Sequence, residues 1–156
     1  MILDGKTLTI SQVTEMARNP ELKVEFNSVI EERVKASRKL LDGFVASGRV
    51  IYGVTTGVGG FVNWLIPADL AEQLQNNILR GVSTNVGNYL DDDYTRAAML
   101  ARINSLGRGV SAITWENYRK YVDLYNSGIV PCIPEKGSLG ASGDLGPLAY
   151  IALVGT

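Results

Sequence analysis

Histidine is absent from all 156 residues, and cysteine occurs once, at Cys132. Without histidine there is no imidazole for a Ser-His-Asp or Cys-His relay, no His-metal centre, and no side chain that ordinarily titrates near neutrality. A single cysteine excludes intrachain disulfides and thiolate zinc clusters within this sequence. Surplus positive charge is missing too. Fifteen Lys and Arg stand against 16 Asp and Glu, so the phosphates of a nucleic acid would meet no basic field. No apolar run approaches the length that crosses a bilayer, and the opening MILDGKTLTI carries an acid at Asp4 where a targeting segment would carry bases. These absences point to a cytoplasmic protein that binds neither nucleic acid nor membrane, and whose chemistry uses another base or a cofactor.

What is present is enough for one domain with a packed core, at 46% hydrophobic residues and without repeats or low-complexity tracts. The opening residues read as two short extended pieces around an Asp4-Gly5-Lys6 turn. Ser11 is placed to cap a short helix that runs through Arg18 and ends at Asn19-Pro20. Phe26, Val29, Ile30, Val34, Leu40, Leu41 and Phe44 recur at helical spacing, with charged residues largely elsewhere on the cylinder, and Gly48 breaks the pattern. Pro67 and Asp69 suit the start of another helix, extending to about Arg80, with Gly81 ending or kinking it. Asp91, Asp92 and Asp93 precede a further helical pattern; adjacent carboxylates complement a helix N-terminus better than they converge on one ion. Thr114 caps a helix over Trp115 to Asn126, whose Tyr118, Val122 and Tyr125 form a core stripe and whose end is Gly128. IVPCIPEKGSLGASGDLGP reads as a long loop. The final segment, Leu148 to Val154, is apolar all round, and such a helix needs neighbours on every side; the sequence therefore reads as part of a larger protein or as an obligate assembler.

Two stretches are dense in glycine. RVIYGVTTGVGGF has glycines at 53, 57, 59 and 60, and KGSLGASGDLGPLAY has them at 137, 140, 143 and 146. The second could be a plain turn into a helix, with Asp144 as cap and Pro147 in the first turn. A phosphate cradle is a poorer fit, because the stretch has no Gly-Lys-Ser/Thr ending. A third reading uses Ala141-Ser142-Gly143 itself. In a sufficiently tight bend, the Gly143 nitrogen reaches the Ala141 carbonyl carbon and closes a five-membered ring, an approach that only very small side chains permit. Loss of the ring water and of the Ser142 hydroxyl leaves a methylene conjugated to a carbonyl, a strong electrophile made without metal or vitamin.

GSLGASGDLGPLA closely resembles the motif of the aromatic amino acid ammonia-lyases and 2,3-aminomutases, which cyclise Ala-Ser-Gly to 4-methylidene-imidazol-5-one (MIO). YGVTTGVGGF is similar to that family's mobile inner loop, LQNNILRGVSTNVG to its substrate-pocket helix, and RINSLGRGVSAI to the next helix of the family. The resemblance implies a mainly α fold, the N-terminal portion of the histidine/phenylalanine ammonia-lyase architecture, with short strands near the N-terminus and Gly-rich active-site loops. It implies that Ala141, Ser142 and Gly143 are the MIO precursor, that Asp144 assists its formation, and that Tyr52 is the base for the substrate's β-proton. A phenol ordinarily ionises at about pH 10, so this role requires a site that favours phenolate, for instance with helix N-termini aimed inward. Gly59 matches a loop position that approaches the cofactor, while Val82 and Leu145 match positions that line the pocket for the aromatic ring.

Histidine and tyrosine lyases of the family carry a histidine in the pocket helix; here that stretch reads Leu79-Arg80-Gly81-Val82. A phenyl ring is favoured over phenol or imidazole, because an unpaired substrate hydroxyl in a buried pocket costs about 1–3 kcal/mol. The resemblance is strongest to bacterial phenylalanine 2,3-aminomutases, the type that supplies β-phenylalanine for antibiotic synthesis through a cinnamate intermediate. Phenylalanine or tyrosine ammonia-lyase, releasing arylacrylate and ammonia, is the near alternative, and a noncatalytic assembly module with an uncyclised Ala-Ser-Gly is another. Family members are much longer and homotetrameric, so residues 1–156 are expected to be the N-terminal MIO-bearing region, without the central helical bundle and its carboxylate-binding arginine. Little or no turnover is expected of this chain alone.

Overall fold

A computed structural model describes residues 1–137, Gly143 and residues 145–155. Their order is β1 (Ile2–Leu3), α1 (Ile10–Arg18), β2 (Glu25–Phe26), α2 (Ser28–Ala46), α3 (Ala71–Val82), β3 (Val86–Tyr89), α4 (Asp92–Leu106), α5 (Trp115–Ser127), β4 (Pro134–Lys136) and α6 (Gly146–Gly155). The fold is mainly helical, as expected.

The opening differs from its sequence reading. Instead of two extended pieces meeting across the turn, β1 pairs in parallel with β2, Ile2 opposite Glu25 and Leu3 opposite Phe26. Asp4 does make the turn: its carboxylate accepts hydrogen bonds from the Lys6 and Thr7 amides at 2.7 and 2.8 Å and from the Thr7 hydroxyl at 2.8 Å. The chain after it leads into α1, whose cap is Thr9 rather than Ser11. Thr9 accepts from the Gln12 amide while the Gln12 side chain accepts from the Thr9 amide at 2.9 Å, a reciprocal box that Ser11, already one residue inside the helix, cannot make.

The core is built from α4, α5 and the first half of α2. Met99, Leu100 and Ile103 of α4 pack with Tyr118, Val122 and Tyr125 of α5, Ile30 and Val34 of α2, and Ile133, all buried. The tyrosine stripe is thus core, and burial pushes the Tyr118 hydroxyl up to about 12. Arg96 is buried as well. Its guanidinium donates to the carbonyls of Ala17 (3.1 Å) and Met16 (3.2 Å) and lies over the Tyr125 ring at 4.4 Å, while the Tyr125 hydroxyl donates to the Met16 carbonyl at 2.9 Å. The last carbonyls of α1 have no partner within their own helix. A buried cation set against that negative end satisfies both groups, and so locks α1 onto α4.

Three boundaries depart from the sequence reading. A 3-10 turn, Ala68–Leu70, precedes α3, which runs through Gly81 to Val82 and does not stop at Arg80. The stretch read as one long loop contains β4, which pairs antiparallel with β3 in the register Val86 to Lys136 and Tyr89 to Pro134, with an irregularity at Gly87. Pro134 opens its strand, where the missing N–H costs nothing. In α6, Ala149, Ile151 and Ala152 are buried against neighbouring helices, while Leu153 and Val154 stay exposed, so one face of this all-apolar helix is uncovered. No helix among the described residues is long and apolar enough to cross a membrane.

The Asp4 turn carries an acid-sensitive part of the stability. Bonds from Thr7 and Lys6 hold its carboxyl down at about 2, against 3.8 ordinarily. A depressed acid contributes stability that is complete above its unfolded value and is lost as pH falls through the folded one. The Asp4 carboxyl, followed by NMR, should titrate near 2, with the loss of stability concentrated between about pH 4 and 2, and Asp4→Asn should flatten that part of the profile. A midpoint at the ordinary value would contradict the turn.

Candidate active site on two glycine-rich loops

The first loop, residues 51–66, is folded on itself by threonine. The Thr55 hydroxyl accepts from the Ile51 amide at 2.8 Å, and the Thr56 hydroxyl accepts from the Gly53 amide at 3.1 Å. Two backbone bonds close the far side, Gly57 to Trp64 and Ile66 to Thr55, each 2.9 Å. The return is so tight that a β-carbon at Gly57 would stand 2.5 Å from the Phe61 carbonyl oxygen; no other residue fits there.

This closed loop presents Tyr52 outward, 62% exposed. Its phenol oxygen accepts a hydrogen bond from the Gly59 amide at 3.0 Å. The two residues singled out in this loop therefore form one unit, with the Tyr52 oxygen held from the start of the Gly59–Phe61 turn. Space is open where a Gly59 side chain would project. Tyr52 also lines a cavity of about 440 Å³ between α2 and residues 110–112, with Leu40, Phe44, Val50 and Ala112 among its walls. Tyr121 and Tyr125, in the core, are held above their ordinary values by burial.

The second loop falls mostly on Ala141, Ser142 and Asp144, which lie outside the described residues. Gly143 has φ +104°, and an added β-carbon would meet nothing within 4 Å; this is a backbone state that side chains rarely adopt and one compatible with a tight bend at this position. Its neighbour Leu145 is 58% exposed and supplies the carbonyl that accepts the Ala149 amide at the start of α6. Val82 is the last residue of α3 and is half-buried. Helix α3 packs on α6, and the Tyr150 hydroxyl donates to the Ser83 carbonyl at 3.1 Å. The Val82 end of α3 is thereby tied to the helix on the C-terminal side of the Ala-Ser-Gly.

The two units meet through α3. Gln75 donates from its side chain to the Gly53 carbonyl at 3.1 Å, and Val82 lies seven residues further on, about 10 Å along the helix axis. Neither Val82 nor Leu145 is among the walls of the cavity beside Tyr52. Gln75 and Tyr150 were not singled out from the sequence, where one reads as a helix-surface amide and the other as part of an apolar run. Among the described residues no group of three or more His, Cys, Asp or Glu is arranged to hold a metal ion.

The pattern that defines aromatic amino acid lyases matches residues 8–156. The chain belongs to that family. Its fold superposes on the Pantoea agglomerans phenylalanine aminomutase with a TM-score of 0.91 at 51% identity, covering 99% of this chain and 29% of that one. It superposes on the Trypanosoma cruzi histidine ammonia-lyase with a TM-score of 0.87 at 35% identity, covering 97% and 28%. In sequence it is 47% identical over 151 residues to the histidine ammonia-lyase of Streptococcus sanguinis, covering 97% of this chain and 29% of that protein. The chain spans less than a third of the length of these relatives, and its described residues correspond to the N-terminal part of the lyase fold.

The Tyr52–Gly59 unit makes a direct prediction. Tyr52→Phe removes the acceptor and leaves the threonine-closed loop in place, so hydrogen exchange at the Gly59 amide should accelerate while the amides of Gly57 and Ile66 keep their protection. Unchanged exchange at Gly59 would mean that the phenol does not hold the turn.

Proposed function

We propose that this chain is the electrophile- and base-bearing part of an enzyme that converts L-phenylalanine to β-phenylalanine through cinnamate. The family's relatives differ in substrate: phenylalanine for the Pantoea agglomerans aminomutase, histidine for the Streptococcus sanguinis lyase. The observation that carries the choice is Val82, an apolar, half-buried residue at the end of the pocket helix in a chain with no histidine anywhere. A polar ring would find no imidazole partner there and would be disfavoured by the cost of an unpaired buried group.

In this reading Ala141, Ser142 and Gly143 cyclise, helped by Asp144, and the resulting MIO supplies an electrophile toward the substrate amine. The chain's own groups do the rest. Tyr52, exposed on the inner loop and held at its oxygen by Gly59, takes the β-proton. Val82 and Leu145 receive the aromatic ring. The substrate's carboxylate, and the homotetramer in which such sites are completed, depend on residues beyond these 156. Ammonia-lyase chemistry, ending in release of arylacrylate and ammonia, uses the same residues, and identities of 42–48% to histidine ammonia-lyases over nearly the whole chain favour keeping it as the second reading.

A family-length protein carrying these residues should consume L-phenylalanine in preference to L-tyrosine and L-histidine, with β-phenylalanine accumulating ahead of cinnamate. Val82→His should lower kcat/KM for phenylalanine by about tenfold or more. Preference for histidine would overturn the substrate assignment, and cinnamate with stoichiometric ammonia as the only products would select the lyase.

A further inference from the structure

Asn85 stands between α3 and β3 and touches both ends of the stretch that contains the Ala-Ser-Gly. A β-carbon at Gly137 would lie 2.8 Å from its Nδ2 and 2.9 Å from its Oδ1; a β-carbon at Gly146 would collide outright with the same Oδ1. Both glycines are therefore in contact with one carboxamide from opposite ends of residues 138–145. The amide is itself held: Nδ2 donates to the Pro134 carbonyl at 3.1 Å, and the Asn85 backbone carbonyl lies 3.4 Å from the Tyr150 hydroxyl. Upstream, Pro134 belongs to β4; downstream, Tyr150 belongs to α6. A single residue is bonded to the elements on either side and packed against the glycine at each boundary.

We propose that Asn85 is a positioning residue for the cyclisation of Ala141-Ser142-Gly143, acting as a clip that fixes the separation of the two ends of this stretch. The proposal rests on the reading that these three residues cyclise. Ring closure adds the Gly143 N–H across the Ala141 carbonyl. That oxygen leaves as water with the Ser142 amide proton, and the Ser142 hydroxyl leaves as a second water with the Ser142 α-proton, so the change is a double dehydration that needs no oxidant or co-reactant. A peptide amide is a poor nucleophile, and what accelerates its attack on a neighbouring carbonyl is being held close to it, an effect in which about 1 Å of misplacement can cost about a hundredfold. Flanks free to drift apart would lose that closeness; flanks packed on one carboxamide keep a fixed separation. Glycine at 137 and 146 is explained by the same geometry, because any side chain at either position would occupy the space of the Asn85 amide.

The test tracks the fraction of chains that have lost two waters, by intact mass, over time after cell-free synthesis of the family-length protein carrying these residues. Asn85→Ala should slow the loss by at least about tenfold in chains whose circular dichroism and thermal midpoint match the parent. Asn85→Asp keeps the size of the side chain and removes the N–H that bonds to Pro134, and it too should slow the loss. Gly146→Ala collides with Oδ1 and should dehydrate slowest. Combined with Asn85→Ala, it should be no slower than Asn85→Ala alone, a coupling that two independent packing defects would not produce. Parent-like rates in Asn85→Ala and Asn85→Asp, or additive effects in the double variant, overturn the clip and leave the cyclisation intact. A parent protein that never loses water overturns the cyclisation reading, and the clip with it.

Discussion

Residues 83–90 hold the second glycine-rich stretch from both sides, and the arrangement of the site depends on them. Tyr150 of α6 bonds to Ser83, the Asn85 side chain bonds to Pro134, β3 ladders onto β4, and the Leu90 amide donates to the Ile133 carbonyl at 2.9 Å. This short segment leads directly into the core-packed α4. Asp91 precedes α4 and its backbone carbonyl accepts from the Tyr94 and Thr95 amides; Met99, Leu100 and Ile103 of α4 are fully packed, and Ile133, immediately before β4, is buried in the same core. The buried Arg96, set against the end of α1, fixes α4 in turn. A chain of well-satisfied contacts thus runs from the centre of the core to the backbone on either side of Ala-Ser-Gly. Chemistry done by a backbone requires such a frame, because the reacting atoms have no side-chain freedom with which to find each other.

The first loop is built on the opposite plan. Its shape is local, fixed by Thr55, Thr56 and the tight return at Gly57, and Gln75 joins it to α3 through the Gly53 carbonyl. Phe61, Trp64 and Leu65 on this loop are largely exposed, Trp64 at 69%. Contiguous exposed apolar residues on a loop that carries a reactive side chain fit a surface that meets other protein. The loop that carries Tyr52 and the stretch that carries the Ala-Ser-Gly are each joined to α3, the first by Gln75 at the Gly53 carbonyl and the second by the packing of α6.

The sequence revealed most of the helices and both glycine-rich loops because their signals are local. The periodicity of α2 and α5, the Thr114 cap and the Tyr118, Val122, Tyr125 stripe depend only on near neighbours in the chain. The β3–β4 pair was not visible, since Gly87 and Pro134 read as breakers until the two segments are side by side, and strands this short exist only through their partner. The Thr9 cap was misassigned to Ser11 because both can cap, and only the reciprocal Gln12 bond distinguishes them. Tyr52, Gly59, Val82 and Leu145 are named by resemblance alone; as isolated residues they read as packing or turn. Asn85 had no sequence signal at all, because its importance lies in the distant glycines it meets, one beside the strand and one in the helix that flank the Ala-Ser-Gly.

In the proposed chemistry the backbone of Ala141-Ser142-Gly143 becomes the reagent. The most direct test is tandem mass spectrometry of the proteolytic peptide spanning residues 137–150, taken from the folded family-length protein. The expected result is the loss of two waters, localised to Ala141-Ser142-Gly143, with the rest of the peptide unmodified. An intact Ala-Ser-Gly in protein that has reached its native fold would contradict it.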